Sequence, residues 1–499
     1  MTRRTGLSGR FISHHFRRLL TVWTQFCSIL PTEKHENMAG GKTVEQTVKA
    51  ADKQRPMYAV VWRWHFYAGI IFAPFLIILA LSGAVYLFKP QIESALYGHL
   101  YEVDKVGEKR LSLVELTERV KEKYPHDSVV SVTLEKEANR TVKIGMMDKG
   151  EMVFAFVNPY TGEIQGTLRA DENWTEIAKK IHSELLIGGT AANRLVELAA
   201  CWGFILLATG LYLWWPRQSF SVLGTFWPRW WAKKRLAWRD WHAVTGVWMS
   251  IGILLLIVTG MPWTGVMGEV INRVATATNT GYPPFAFSFG LKPESKVVTK
   301  EVAQDVPWAA EQLPVPSVRK RKAAPLSLDE VYAIAEAKKV KKPFTISLPQ
   351  GEKGVFTVAT SKTKPWDNAT LHIDQYSGRV LSDVRFSDYG ALAKAITIGI
   401  AFHEGRLFGL ANQLVNLVFC LGLVFLGVSG FVMWRKRKPK DGFGAPARVK
   451  DPQAAKTVWG GMIAAGIVMP LFALSLAAIW LFDRFVVQKI PSVRRFLAA

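Results

Sequence analysis

Cysteine is scarce in this chain. Cys27, Cys201 and Cys420 are the three present, with no CxxC and no CxxCH among them. A disulfide scaffold, a thiolate zinc site and covalently attached c-type haem are thereby excluded. Nucleotide-phosphate fingerprints are missing too: no GxGxxG is followed by an acidic residue, and there is no Walker loop. Acidic residues are in short supply, 40 against 63 Lys plus Arg, which leaves a net charge of +23. Such a surplus would suit a nucleic-acid binder, but 49% of the residues are hydrophobic, with 19 Trp and 28 Phe. Neither a polar nucleic-acid binder nor a disordered basic tail has that composition. A membrane protein whose basic residues collect on one side does, and no nucleic-acid partner is expected.

Five stretches are apolar enough to cross a bilayer, which takes about 20 helical residues. They place spans within residues 58–88, 181–216, 241–268, 391–434 and 457–482, the second and fourth preceded by pre-span segments. Residues 1–64 carry 11 basic and 4 acidic side chains, 216–241 carry 6 and 1, and 435–456 carry 8 and 2. The long segments are balanced, 14 basic against 17 acidic over 89–192 and 19 against 14 over 269–411. By the positive-inside rule the amino-terminal extension 1–57 and the loops 217–240 and 435–456 are cytoplasmic, and the long segments 89–180 and 269–390 face outward. The protein is thus expected in a membrane, surrounded by lipid. A single fifth span leaves the tail 483–499, with its net positive charge, on the outer side. His14, His15 and His35 in the extension read as solvent-exposed.

The sequence repeats itself. RWHFYAGIIFAPFLIILALSG and DWHAVTGVWMSIGILLLIVTG align without a gap, pairing Trp64 with Trp241, His65 with His242, Gly69 with Gly246 and Gly83 with Gly260. NRLVELAACWG and NQLVNLVFCLG pair Asn193 with Asn412 and Cys201 with Cys420, and His182 precedes the first as His403 precedes the second. The outer segments repeat as well: an amphipathic helix from Leu111 or Leu326, short β-rich runs, then VNPYTGEI or IDQYSGRV, whose glycines supply positive φ for a turn. The reading is an α-helical integral membrane bundle, four core spans as a tandem duplication plus a fifth, with two small α+β domains outside. The second copy carries about 38 extra residues, including the Pro-rich basic stretch DVPWAAEQLPVPSVRKRKAAP, expected to be an extended linker or surface loop.

Histidines near membrane spans are functional candidates. His65 and His242 open spans at the inner face, whereas His182 and His403 precede spans at the outer face. The two layers are separated by roughly 30 Å, too far to share a metal. Each layer offers two imidazoles on different helices, which suits one six-coordinate haem iron per layer and gives two haem b in all. Arg63 and Arg239 are candidate propionate partners on the inner side, Arg194 and Arg406 on the outer. Zinc fits less well, because no further Cys, Asp or Glu completes four ligands in either layer. His99, His126 and His372 have no equivalents and read as surface residues, and Cys201 and Cys420 as buried small hydrophobes. Gly69, Gly83, Gly246 and Gly260 either let helices approach closely or leave room for a flat macrocycle.

Two haems stacked across a bilayer make an electron wire. The inner loops are too small for a flavin or nicotinamide domain, so a separate donor is needed, a quinol or a cytoplasmic reductase. The hairpin motifs NPYTGEI and DQYSGRV, RWHFYAG and DWHAVTG at span starts, and IHSELLIGG and FHEGRLFGLANQL before spans resemble the PepSY-associated transmembrane family over about residues 58–436. The resemblance implies that the outer segments are PepSY domains in the periplasm and that the protein is like inner-membrane ferrisiderophore reductases and iron-regulated membrane proteins, which carry b-type haem. The reaction it implies is reduction of ferric siderophore iron, an oxidoreductase activity. Two alternatives stand beside it: electron transfer to another periplasmic acceptor, and a non-enzymatic PepSY sensor or protease regulator that would hold no haem.

Overall fold

The computed structural model describes residues 56–497 apart from 218–220, 282–296, 304–305, 319–323, 361–363, 441 and 449–450. The extension, with His14, His15 and His35, and the basic run Arg319 to Lys322 lie outside the described residues. In chain order, the apolar helix α1 (Pro56–Leu87) leads into α2 (Lys89–Tyr101) and α3 (Leu113–Lys123). Strands β1 (Ser128–Leu134), β2 (Val142–Asp148), β3 (Glu151–Val157) and β4 (Ile164–Arg169) follow. Helix α4 (Trp174–Glu184) then delivers the chain to α5 (Gly189–Trp214), and α6 (Lys234–Gly260) returns it to α7 (Gly265–Ala277). The second α+β unit comprises α8 (Leu328–Ala337) and strands β5 (Phe344–Ser347), β6 (Val355–Thr360), β7 (Ala369–Asp374) and β8 (Val380–Arg385). Then come α9 (Ala391–His403), α10 (Leu410–Arg437), α11 (Pro452–Val468) and α12 (Pro470–Phe482), followed by a short helix, Pro491–Phe496. Helices α1, α5, α6, α10 and α12, the last with the turn extending it to Val487, are long and apolar enough to cross a membrane.

The two α+β units are joined more closely than two separate domains. Their strands form one antiparallel eight-stranded sheet, ordered β4-β3-β2-β1-β5-β6-β7-β8. The seam pairs Ser131 with Ser347, Val132 with Ile346 and Leu134 with Phe344, and the Thr133 and Thr345 hydroxyls meet at 2.9 Å. Alternation along the strands sends Val132, Leu134, Ile144, Phe344, Ile346 and Leu371 to one face, where they form a single core with Leu116 and Val120 of α3 and Val331 and Ala335 of α8. Asp329 of α8 caps the other unit's helix, its carboxylate accepting from the N–H groups of Leu113 at 2.7 Å and Val114 at 3.2 Å.

The Pro-rich stretch packs as a strap over the sheet's second face, and its described residues are no free linker. Thr299 N–H donates to Leu313 O, Val315 N–H to Val297 O, and Val318 N–H to Lys353 O. Prolines preclude a continuous helix there, while Ala309, Ala310 and Leu313 bury against Val384, Tyr389 and Ala393. The strap also overturns the surface reading of His372. That side chain is fully buried on the strap-covered face, with Nε2 3.2 Å from Thr299 Oγ1 and Nδ1 3.1 Å from Thr357 Oγ1. His99 and His126 are exposed. Burial pushes the His372 imidazole down to about 4, below an unfolded value of about 6.5. The unfolded chain therefore binds the extra proton between those values. The contribution is complete above about pH 6.5 and declines as pH falls through 4, by at most about 3 kcal/mol. Thermal unfolding measured down to about pH 4.5 should show a shallower pH slope for His372→Gln than for the unsubstituted protein.

The single fifth span over 457–482 is corrected to two helices. The chain breaks at Met469, with φ −120° and ψ 88°, because the following Pro470 disfavours helical conformation in the residue before it. Helices α11 and α12 fold back on each other: Trp459 and Trp480, near their outer ends, line one groove with Gly466 and Ala473, near the break. The hairpin packs Met462, Met469, Phe472 and Leu476 around Trp202 of α5, whose Nε1 donates to Ser475 Oγ at 3.1 Å. The tail therefore returns to the end of the bundle where the basic loops lie. Phe443 N–H donates to Phe496 O, and the Tyr67 hydroxyl donates to Leu497 O at 2.7 Å.

Candidate functional site

Helices α1 and α6 begin at the basic end of the bundle and bring His65 and His242 together, ring centroids 6.5 Å apart and planes at 83°. At the sheet end, α4 and α9 place His182 and His403 with centroids 6.1 Å apart and planes at 68°. Each pair takes one imidazole from each half of the chain, in the two pairings expected from the repeat. Ser82, beside His182, stands 17 residues beyond His65 on α1, and Thr259, beside His403, stands 17 beyond His242 on α6. At 1.5 Å per residue the two pairs lie about 26 Å apart along the bundle.

Each histidine is held in the same way by a neighbouring helix. Its Nδ1 meets a hydroxyl: His65 with Thr209 at 2.9 Å, His242 with Ser429 at 2.9 Å, His403 with Thr259 at 3.0 Å and His182 with Ser82 at 3.3 Å. The residue after each hydroxyl is glycine, and the ring lies against it. A Cβ would stand 3.1 Å from the His182 ring at Gly83, 3.3 Å from His65 at Gly210, 3.2 Å from His403 at Gly260 and 3.6 Å from His242 at Gly430. Of the four glycines weighed from sequence, Gly83 and Gly260 thus face imidazoles, whereas Gly69 and Gly246 face the side chains of Leu206 and Leu426. Sequence reasoning missed the hydroxyls, although the signal was present. The pattern L-x-x-[ST]-G occurs once on each core helix, as Leu79 to Gly83, Leu206 to Gly210, Leu256 to Gly260 and Leu426 to Gly430.

The sheet-end pair opens on a cavity of about 1130 Å³. It is lined by His182, His403, Gly83 and Gly260 and reaches past them to Leu76, Ile253 and Leu423 of the bundle. Its walls are the uncovered face of the first half-sheet, with Lys143, Phe154 and Phe156, and the strap residues Trp308 and Glu311. Burial pushes the Glu311 carboxyl up to about 7 against the attraction of Lys300. The edge of Trp263 meets the His403 ring at 6.0 Å, and Asn416 of α10 donates to the carbonyls of Phe402 and His403, fixing the end of α9. Glu197, at the position equivalent to Asn416, is fully buried and caps α7 through the N–H groups of Val266 and Met267.

The four arginines are distributed differently. Arg406 lines the cavity and is ion-paired with Glu404. Arg63 donates to Pro446 O and lies over the Tyr67 ring. Arg239 is largely exposed and bonds Asp240, the buried neighbour of His242 that Arg229 also clasps through two bonds of 2.6 and 2.9 Å. Arg194 lies against Gly265 and 3.7 Å from Glu197. Cys201 and Cys420 are buried free thiols.

No curated protein matches the chain. The family described as "PepSY-associated TM region" matches residues 62–437, a stretch holding all four paired histidines and the whole sheet. With about three-quarters of its length so matched, the chain belongs to the PepSY-associated transmembrane family.

Proposed function

We propose that the protein carries electrons through a bacterial inner membrane by way of two b-type haems and delivers them, at the sheet end, to ferric iron held by a siderophore. The observation that carries this reading is the pair of histidine pairs. At each end two imidazoles, one from each half of the chain, face each other with ring centroids 6.5 and 6.1 Å apart, and they would be the ligands of a haem iron held between them. Among the described residues no three His, Cys, Asp or Glu side chains converge, so each site offers two ligating imidazoles with glycine backbone beside them. His65 and His242 would hold one haem, and His182 and His403 the other.

Haem iron supplies one-electron redox chemistry, and the residues of the chain do the rest. The hydroxyls hold each imidazole by Nδ1, leaving Nε2 as the ligating atom. Helices α1, α5, α6 and α10 would keep the two ends in register. The cavity admits an acceptor to the His182 and His403 end, where Arg406 stands at the wall as a propionate partner. Oxygen ligands hold Fe³⁺ more firmly than Fe²⁺, so one-electron reduction loosens a chelate bound there. Matched His and hydroxyl positions in both halves support a tandem duplication in which each half contains one PepSY domain. The basic loops support a cytoplasmic location for the His65 end and a periplasmic one for the sheet. The donor we infer is a separate quinol or cytoplasmic reductase.

An absorption spectrum of the purified protein, expressed with ample haem and reduced with dithionite, tests the reading directly. We expect a b-type α band and two haems per chain. A folded preparation without that band would overturn it in favour of a sensor or regulator. Two haems that are not reoxidised by a ferric siderophore would leave the wire and shift the acceptor to another periplasmic molecule.

A further inference from the structure

We propose that the four L-x-x-[ST]-G motifs are positioning devices that fix the tautomer of each histidine and set the redox potential of the two ends independently. The inference rests on the dihaem reading and adds to it a role for Ser82, Thr209, Thr259 and Ser429. Proton accounting carries the argument. Each hydroxyl donates its own hydrogen to a carbonyl of its helix: Ser82 to Ile78 at 2.7 Å, Thr209 to Ile205 at 2.6 Å, Thr259 to Leu255 at 2.6 Å and Ser429 to Leu426 at 3.1 Å. A hydroxyl so committed faces an imidazole only as an acceptor. With the hydroxyls accepting, Nδ1 carries the proton in all four rings, and Nε2 is left with the lone pair that would bind a metal.

The helix geometry explains why the motif has five positions. Glycine removes the side chain that would push the ring away, and the hydroxyl one residue earlier reaches Nδ1. The leucine three residues before the hydroxyl turns its carbonyl toward the same nitrogen. That carbonyl lies 2.8 Å from Nδ1 for Leu79 and His182, and the Leu256 and Leu426 carbonyls also bond His403 and His242. His65 relies on Thr209. An acceptor on Nδ1–H makes an imidazole a more basic ligand and stabilises the oxidised metal. Removing it should raise the potential of that end alone, because the other pair stands about 26 Å away.

The test is a redox titration, with electron paramagnetic resonance, of Thr209→Val, Thr259→Val and Ser82→Ala, alongside Thr209→Ser. Thr209→Val should raise the midpoint potential of one haem and shift its low-spin g values while the second haem titrates unchanged. Thr259→Val should do the same to the second haem to a smaller degree, because Leu256 remains. Ser82→Ala should move neither much, since the Leu79 carbonyl still holds His182, and Thr209→Ser should restore the original behaviour. Loss of one haem in Thr209→Val with its return in Thr209→Ser would also support the role. Thr209→Val and Thr259→Val variants that keep two haems with unaltered potentials and g values would overturn it, as would a shift of both haems together. An unsubstituted protein without haem would overturn the dihaem reading instead.

Discussion

Replacing both His65 and His242 by alanine should cost one haem per chain, whereas replacing His65 and His403 should cost both. Each double variant removes two imidazoles, so a general loss of histidine cannot produce the difference. It follows from which rings face each other: His65 is 6.5 Å from His242, and His182 is 6.1 Å from His403. With about 26 Å between the ends, a surviving imidazole at one end cannot replace a missing ligand at the other. Each single variant, His65→Ala or His403→Ala, should halve the low-spin signal. Haem per chain, measured on material that keeps a monodisperse elution profile, gives the count. A well-folded His65/His242 double variant that lost both haems would show that the ends do not bind independently. Retention of both would remove the histidines from the site.

The sequence carried this pairing because two copies of one pattern, offset by 177 residues between His65 and His242, mark equivalent depths in a bundle. The hydroxyl partners were harder to read. Gly203 and Gly422 align at an offset of 219, but Gly210 and Gly430 are 220 apart, so the gapless alignment that pairs the cysteines sets Gly210 against Ser429 and hides the shared motif. The joined sheet was not legible because β1 and β5 are separated by more than 200 residues, and alternation says which face of a strand is buried without saying what lies at its edge. His372 looked exposed for a related reason. Its burial depends on the strap, whose short apolar runs between prolines have neither helical nor strand periodicity. The fifth span was misread because hydropathy averages over Pro470, while the backbone responds to that one residue.

A reporter fused to the carboxyl terminus should lie on the same side of the membrane as one inserted in the loop after α10, and not on the side of the sheet. Hydropathy alone, with one uninterrupted span over 457–482, predicts the opposite and puts the tail beside the sheet. The break at Met469 reverses the chain, and the close approach of Gly466 to Ala473, where a Cβ on the glycine would stand 3.0 Å from the alanine Cβ, lets α12 run back along α11. Contacts at the far end fix the outcome. Tyr67 holds Leu497 O, Phe443 holds Phe496 O, and the Phe443 and Phe496 rings are 5.8 Å apart. Charge points the same way: Arg484, Lys489, Arg494 and Arg495 against Asp483 make the tail net positive, matching the loops at that end. Paired fusions to a fluorescent protein that matures only in the cytoplasm and to a phosphatase active only outside would decide it. Fluorescence without phosphatase activity at both positions is the expected result. Phosphatase activity at the terminus alone would restore the single span and detach the tail from Tyr67 and Phe443.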